Sequence, residues 1–181
     1  FPTLRSSDLG YCTLGTSVDV ARAAFDVSDL ILAQVNLSMP RVHGDGWIHM
    51  EEIDYFTEVD VPLPEPKIKQ LSDEENLIGK YTSNLIEDGA CLQVGIGSVP
   101  DAILGALHEH RHLGVHSEMW SDGVLKLIQS GAIDNSFKKV HSGKTVSSFI
   151  IGSKSVYDFI HDNPSVFQLG VDYVNNIAVI A

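Results

Sequence analysis

Cysteine is scarce in this sequence. Cys12 and Cys91 are the only two, they stand far apart, and they match no metal-ligand spacing. A disulfide framework is therefore not expected, and a reducing, cytoplasmic setting is. Basic residues are scarce as well: 12 Lys and Arg stand against 24 Asp and Glu, for a formal net charge of −12. Such a chain repels a phosphate backbone, which argues against nucleic-acid binding but leaves room for a local basic pocket around a phosphorylated ligand. No apolar run approaches the roughly 18 to 20 residues of a membrane span. No segment shows the succession of charged, apolar and small residues that marks a signal peptide. A GxSxG nucleophile elbow is missing too. His141-Ser142-Gly143-Lys144 is too short for a phosphate-binding loop, although Lys144 could still meet a phosphate.

What is present is an ordinary globular composition, 44% hydrophobic and 20% charged, which argues against disorder. Helical spacing runs over residues 18–27. The apolar run Leu30 to Val35 reads as a strand buried on both faces. A long loop rich in Gly, Pro and polar residues follows, and residues 56–61 fit a short strand. Val61 to Lys67, with three prolines, reads as a linker. Ser72 and Glu75 form an S-x-x-E capping box that opens a helix expected to reach about Asp88, with Leu77, Ile78, Tyr81, Leu85 and Ile86 on one face and Gly89 as its stop. Strands are then expected at 90–95, 113–118, 145–151 and 166–169, and helices at 98–110, 121–130 and 153–161. This alternation predicts an α/β fold with a mostly parallel sheet and flanking helices. Phe1 to Leu9 shows neither period and reads as a non-native scar or the end of another segment. The last residues, VNNIAVIA, look like an interrupted strand, so truncation is expected at both ends.

Two segments draw attention for chemistry. In VGIGSVPDAI, a strand ends in Gly95-x-Gly97 and feeds a helix. Glycines there let the backbone approach a ligand, and free N–H groups at a helix start can meet an anion or oxyanion. A plain strand-to-helix turn remains equally open, and Pro100 stands where a dinucleotide fingerprint needs a third glycine. In HSEMWSDG, Glu118 is expected at the carboxyl end of the next strand, the edge where open parallel sheets bind ligands. It can be a nucleophile, a general base or a metal ligand, or a carboxylate paired for structure. Asp122 fits a capping role. His108, His110 and His112 lack zinc spacing and read as a solvated face, so no metal site is expected. His43 to Glu52 either lines a pocket or packs a long loop.

Several long stretches carry a family resemblance: GYCTLGTSVDVARAA, AQVNLSMPRVHGDGWIHMEEIDYFTEVDVPLPE, LIEDGACLQVGIGSVPDAIL, LGVHSEMWSDGVLKLIQSG and VHSGKTVSSFIIGSKSVYDFI. The chain resembles the acetyl-CoA hydrolase/transferase family, within it the 4-hydroxybutyrate CoA-transferase type. The resemblance implies a CoA-transferase-like fold with parts of two similar domains: 10–60 as the end of the first, 61–71 as linker, and 72–181 as the front of the second. It implies Glu118 as catalytic nucleophile, and Val94, Gly95 and Gly97 as the oxyanion and acyl region, with a further glycine contributed from beyond residue 181. His43, Gly44, Gly46, His116 and Lys144 are candidates for the substrate or CoA pocket. Coenzyme A would be substrate, with no prosthetic group. The partners would be acyl-CoA and a short-chain carboxylate, and the full-length protein a homo-oligomer. An acyl-CoA hydrolase and a non-catalytic ligand-binding domain are the alternatives.

Overall fold

The computed structural model describes residues 3–6, 10–67 and 70–180. Residues 1, 2 and 7–9 of the expected scar, 68 and 69 of the expected linker, and Ala181 lie outside them. The first sheet contains β1 (Thr3–Ser6), β2 (Tyr11–Thr13), β3 (Leu32–Asn36), β5 (Trp47–His49) and β6 (Tyr55–Val59), in the order β5-β2-β1-β3-β6. β1, β3 and β6 run parallel, while β2 is antiparallel to both β1 and β5. Helix α1 (Ala21–Val27) lies between β2 and β3 in the chain. Residues 3–6, where no strand period is visible, thus pair on both sides. The long loop resolves into β4 (His43–Gly44), β5 and a 3-10 turn at Met50–Glu52. β3 is buried on one face only: Ala33 and Val35 face the core, while Gln34 is exposed. A single buried cluster, including Cys12, Leu14, Val18, Val35 and Ile48, covers that face, so the expectation of burial on both faces fails.

The second sheet positions the candidate site. β7 (Cys91–Leu92) pairs parallel with β8 (Gly114–Val115). A parallel bridge between His116 and Val146 joins β8 to β10 (Thr145–Ser147). β10 pairs parallel with β12 (Val166–Gln168), and β12 with β4. The sheet order is therefore β7-β8-β10-β12-β4, with β4 supplied by the first stretch of the chain. A small parallel pair, β9 (Met119–Trp120) and β11 (Phe149–Ile150), stands beyond β8 and β10. The expected strand at 145–151 is thus split at Ser148, and that at 113–118 is split by the chain around Glu118. β7 is an edge strand among the described residues, with Cys91 exposed.

Helices α2 (Asp73–Ser83), α3 (Ser98–Gly105), α4 (Asp122–Ser130) and α5 (Lys154–Ile160) flank this sheet. The expected capping box is present: Ser72 Oγ accepts from Glu75 N–H at 3.2 Å and Glu75 accepts from Ser72 N–H at 2.8 Å. The apolar face expected on α2 is not its buried face. Leu77, Ile78, Tyr81 and Leu85 are 51%, 44%, 68% and 83% exposed, Ile86 alone of the five packs against the main core, and the helix ends at Ser83 instead of near Asp88. The buried positions are Gly79 and Ser83, because α2 meets α3 backbone to backbone. A Cβ on Gly79 would lie 2.5 Å from the Ala102 carbonyl oxygen. α4 follows its amphipathic pattern, burying Val124, Leu125 and Leu127, and ends at Gly131 in the left-handed region (φ 82°). The terminal residues form the short helices α6 (Val171–Val174) and α7 (Ile177–Ile180) instead of a strand. Asn176 favours that outcome, since its side chain accepts from Ala178 N–H at 2.9 Å at the start of α7.

The Gly79 contact generates a paired prediction. Gly79→Ala should destabilise the protein by about 1–3 kcal/mol through overpacking. Gly105→Ala, where a Cβ meets nothing within 4 Å, should be neutral or slightly stabilising. Thermal denaturation of both variants checks this, and equal melting temperatures would contradict it.

Candidate functional site

β7, β8, β10, β12 and β4 are parallel, so their carboxyl ends share one edge. Along it lie the Val94–Gly97 turn after β7, His116 to Glu118 after β8, Ser147 and Ser148 at the end of β10, Gln168 at the end of β12, and Gly44 at the end of β4. The edge is where α/β sheets gather ligand-binding groups.

The chain at Glu118 is held from both sides. His116 N–H donates to Leu92 C=O at 3.0 Å, and Ser117 N–H donates to Val146 C=O at 3.1 Å. Glu118 C=O accepts from Ser148 N–H at 2.9 Å and from Phe149 N–H at 3.1 Å. Ser117 is completely buried, and its hydroxyl accepts from Val94 N–H and donates to Val94 C=O, both at 2.9 Å. The Glu118 residue itself is exposed, and its carboxylate has no hydrogen-bond or ion-pair partner among the described residues. A carboxylate on a fixed main chain with a free head suits nucleophilic attack better than a structural tie.

The glycine turn is equally open. Gly97 precedes α3 with φ 119° and ψ 177°, a region that is essentially restricted to glycine. A Cβ there would meet nothing within 4 Å, and one on Gly95 only Pro100 at 3.9 Å. The surrounding protein therefore leaves space at both glycines. The N–H groups of Gly95, Ile96 and Gly97 have no partner among the described residues. They are donors available to an anion or a developing oxyanion. Ile96, between the glycines, is 73% exposed. It was not singled out from sequence, although an apolar residue flanked by two glycines at a strand end is a readable signal.

The other candidates are placed as follows. His116 Nε2 lies 3.1 Å from Val174 C=O. Burial holds its imidazole below the usual histidine range, with smaller contributions from Lys138 and His141 in the same direction and an opposing one from Val174 C=O. His43 turns to Asp162, with Nε2 3.3 Å from the carboxylate. Gly44 (φ 121°) touches the β12 main chain so closely that a Cβ would lie 2.0 Å from Gln168 C=O. Gly46 C=O accepts from Leu14 N–H at 2.9 Å. Lys144 Nζ donates to Pro164 C=O at 2.5 Å and sits 4.9 Å from the centre of the Phe167 ring. Thus Val94, Gly95, Gly97, His116 and Glu118 come together, Gly44 shares their sheet edge, and His43 and Lys144 are engaged with other groups. Asp122 accepts from Ser153 N–H at 2.9 Å and Ser153 Oγ at 2.5 Å, which ties the first turn of α4 to the residue before α5.

No group of three or more His, Cys, Asp or Glu side chains able to hold a metal occurs among the described residues. His108, His110 and His112 point to Gly105 C=O, Ile86 C=O and Asp134 respectively. Cavities of about 400 Å³ beside Leu32 and Phe56, and about 410 Å³ between Pro62–Leu63 and Tyr157, do not include Glu118.

Two half-buried histidines set a pH dependence. His116 and His141 are both held below the free imidazole value, so the unfolded chain binds more protons in the window just below about pH 6.5. Stability should fall as pH drops from 6.5 through that window. An NMR titration should place both midpoints below about 6.5, and a midpoint above it for His116 would contradict the burial account.

Residues 3–64 match the family described as the acetyl-CoA hydrolase/transferase N-terminal domain. The chain is 48% identical over 171 residues to a 4-hydroxybutyrate coenzyme A transferase of Clostridium kluyveri, covering 94% of this chain and 40% of that protein. It is 47% identical over 173 residues to a succinyl-CoA:acetate/propanoyl-CoA:succinate CoA transferase of Fasciola hepatica, covering 95% of this chain and 36% of that protein. Among solved structures, a 4-hydroxybutyrate CoA-transferase from Porphyromonas gingivalis superposes with a TM-score of 0.94 at 41% identity, covering 98% of this chain and 46% of that one. RipA from Yersinia pestis superposes with a TM-score of 0.95 at 34% identity, covering 99% and 42%. The chain spans about two fifths of the length of these curated relatives. The chain is thus similar over nearly all its length, in sequence and in fold, to CoA transferases, and residues 3–64 match the acetyl-CoA hydrolase/transferase family.

Proposed function

We propose that this chain carries the nucleophile of a CoA-transferase acting on a short-chain acyl-CoA and a carboxylic acid, in the cytoplasm. The reading rests on Glu118: an exposed, unpaired carboxylate held on a doubly bonded main chain beside a turn with free N–H groups. A carboxylate oxygen of Glu118 attacks the thioester carbonyl. The C–S bond breaks, CoA leaves as thiolate, and an acyl-glutamyl anhydride remains. The thiolate then attacks the glutamyl carbonyl, releases the acyl group as a carboxylate and leaves a glutamyl-CoA thioester. An acceptor carboxylate takes the CoA by the reverse sequence, so the kinetics are ping-pong. Each attack builds negative charge on a carbonyl oxygen, and the N–H groups at Gly95 to Gly97 are the donors for it. Loss of one such donor typically costs about 2.7–4 kcal/mol of barrier.

On this reading 10–60 closes a first domain, 61–71 links, and 72–181 opens the domain that holds Glu118. The full-length protein works as a homo-oligomer with coenzyme A as substrate. His116 and Gly44 are placed to border the pocket. Gly46 lies in the turn that follows Gly44, while His43 and Lys144 reach the pocket only by leaving Asp162 and Pro164.

The test is covalent trapping in the full-length protein. After incubation with acetyl-CoA, borohydride or hydroxylamine should modify Glu118 and no other carboxylate, as read by peptide mass spectrometry. Glu118→Gln should lower turnover by a factor on the order of 10⁴ or more. An unmodified Glu118 contradicts the mechanism. CoA release that is independent of added acetate would instead favour the hydrolase reading.

A further inference from the structure

We propose that Ser117 is a positioning residue for Glu118: its hydroxyl sets the Val94–Gly97 turn against the main chain that bears the nucleophile. The proposal rests on the assignment of Glu118 as nucleophile. Its basis is the way the β7–β8 ladder ends. His116 N–H to Leu92 C=O, at 3.0 Å, is a regular parallel rung. In a continuing ladder, Val94 N–H would next donate to His116 C=O, and Val94 C=O would accept from Glu118 N–H. Neither rung forms. Ser117 Oγ takes both Val94 groups instead, at 2.9 Å each.

Two consequences follow from this substitution of a side chain for main chain. The turn is fixed to the neighbour of Glu118 by a hydroxyl that water does not reach, since Ser117 is 0% exposed while Val94 is half-buried. Glu118 N–H is also released from the ladder and has no partner among the described residues. A regular rung would have tied Glu118 flat into the sheet. With the hydroxyl in its place, the chain turns out at Glu118 and re-enters the sheet system at β9, while the glycine turn stays in register with it. Alignment of nucleophile and oxyanion donors to within a fraction of an ångström governs attack rates far more than substrate affinity. Ser117 should therefore act on kcat rather than on KM.

The experiment compares Ser117→Ala and Ser117→Thr with the parent in the full-length protein, using acetyl-CoA as probe. Three quantities are read: the rate of Glu118 labelling at saturating acetyl-CoA, the apparent KM, and amide exchange at Val94. The expected result for Ser117→Ala is a labelling rate lowered at least 30-fold, KM changed less than threefold, and faster exchange at Val94 with no change in α4. Ser117→Thr, which keeps the hydroxyl, should label within fivefold of the parent. Parental labelling by Ser117→Ala, or a slow Ser117→Thr with a native spectrum, overturns the proposal. Should Ser117→Ala not fold, Ser117→Thr against Ser117→Val gives the same comparison of hydroxyl with methyl, and equal labelling rates overturn it. If Glu118 is not labelled in the parent, the nucleophile assignment fails and the positioning role with it. Faster Val94 exchange in Ser117→Ala would then identify the hydroxyl as a purely structural clip.

Discussion

The short run Val115 to Glu118 is bonded to the chain on both sides, and the second sheet depends on that. Leu92 receives His116 N–H on one flank, and Val146 receives Ser117 N–H on the other. These bonds seat β7 and its glycine turn on one flank and join β10, β12 and β4 on the other, together with the Asn135 side chain, which accepts from Val115 N–H and donates to Thr145. The side chains reinforce the join. Leu113, Val115, Trp120 and Val124 are fully buried in the main core, and Ser117 is a buried polar residue whose hydroxyl both donates and accepts. Satisfaction of a buried hydroxyl offsets the cost of removing it from water, and in this respect Ser117 differs from Ser147 and Ser148, whose buried hydroxyls have no partner among the described residues.

That join also unites the two halves of the chain. β4 extends the second sheet from the region of residues 43–44. Val18 and Asp19 N–H groups both donate to Ser148 C=O, at 2.9 and 3.2 Å, while Ser148 N–H donates to Glu118 C=O. The main chain at Glu118 is thus linked to the first core through one intervening residue, Ser148. The proline segment is seated rather than free: Val61 N–H and C=O bond to the Asn36 amide, and Pro64 C=O accepts from Tyr157 at 2.8 Å. A rigid frame behind an exposed carboxylate lets the reacting group move little while its surroundings open to ligand.

Much of this was legible in the sequence. The capping box at Ser72 and the alternation of strands with helices are local signals, and the chain obeys them. The choice of buried face was less legible. Leu77, Tyr81 and Leu85 have helical spacing, yet α2 packs through Gly79, because close backbone contact with Ala102 is a tertiary property that periodicity does not encode. The splitting of 145–151 at Ser148 was hidden for a related reason: the break serves Val18, Asp19 and Glu118, all distant in sequence. At the site, Glu118 and the two glycines were visible as residue types at strand ends. Ser117 is visible in the sequence only as part of the His116-Ser117-Glu118 segment that carries the resemblance, and its role stays hidden until its hydroxyl is seen on Val94.

The central claim is that Glu118 forms a covalent bond to its substrate while the Gly95–Gly97 donors face the reacting carbonyl. A crystal structure of the full-length protein, frozen after brief exposure to acetyl-CoA, tests both parts at once. The account predicts continuous density from the Glu118 carboxyl carbon to the CoA sulfur, with the carbonyl oxygen about 2.7–3.1 Å from an N–H of the glycine turn. Coenzyme A bound elsewhere, with Glu118 unmodified and the turn unoccupied, would contradict it.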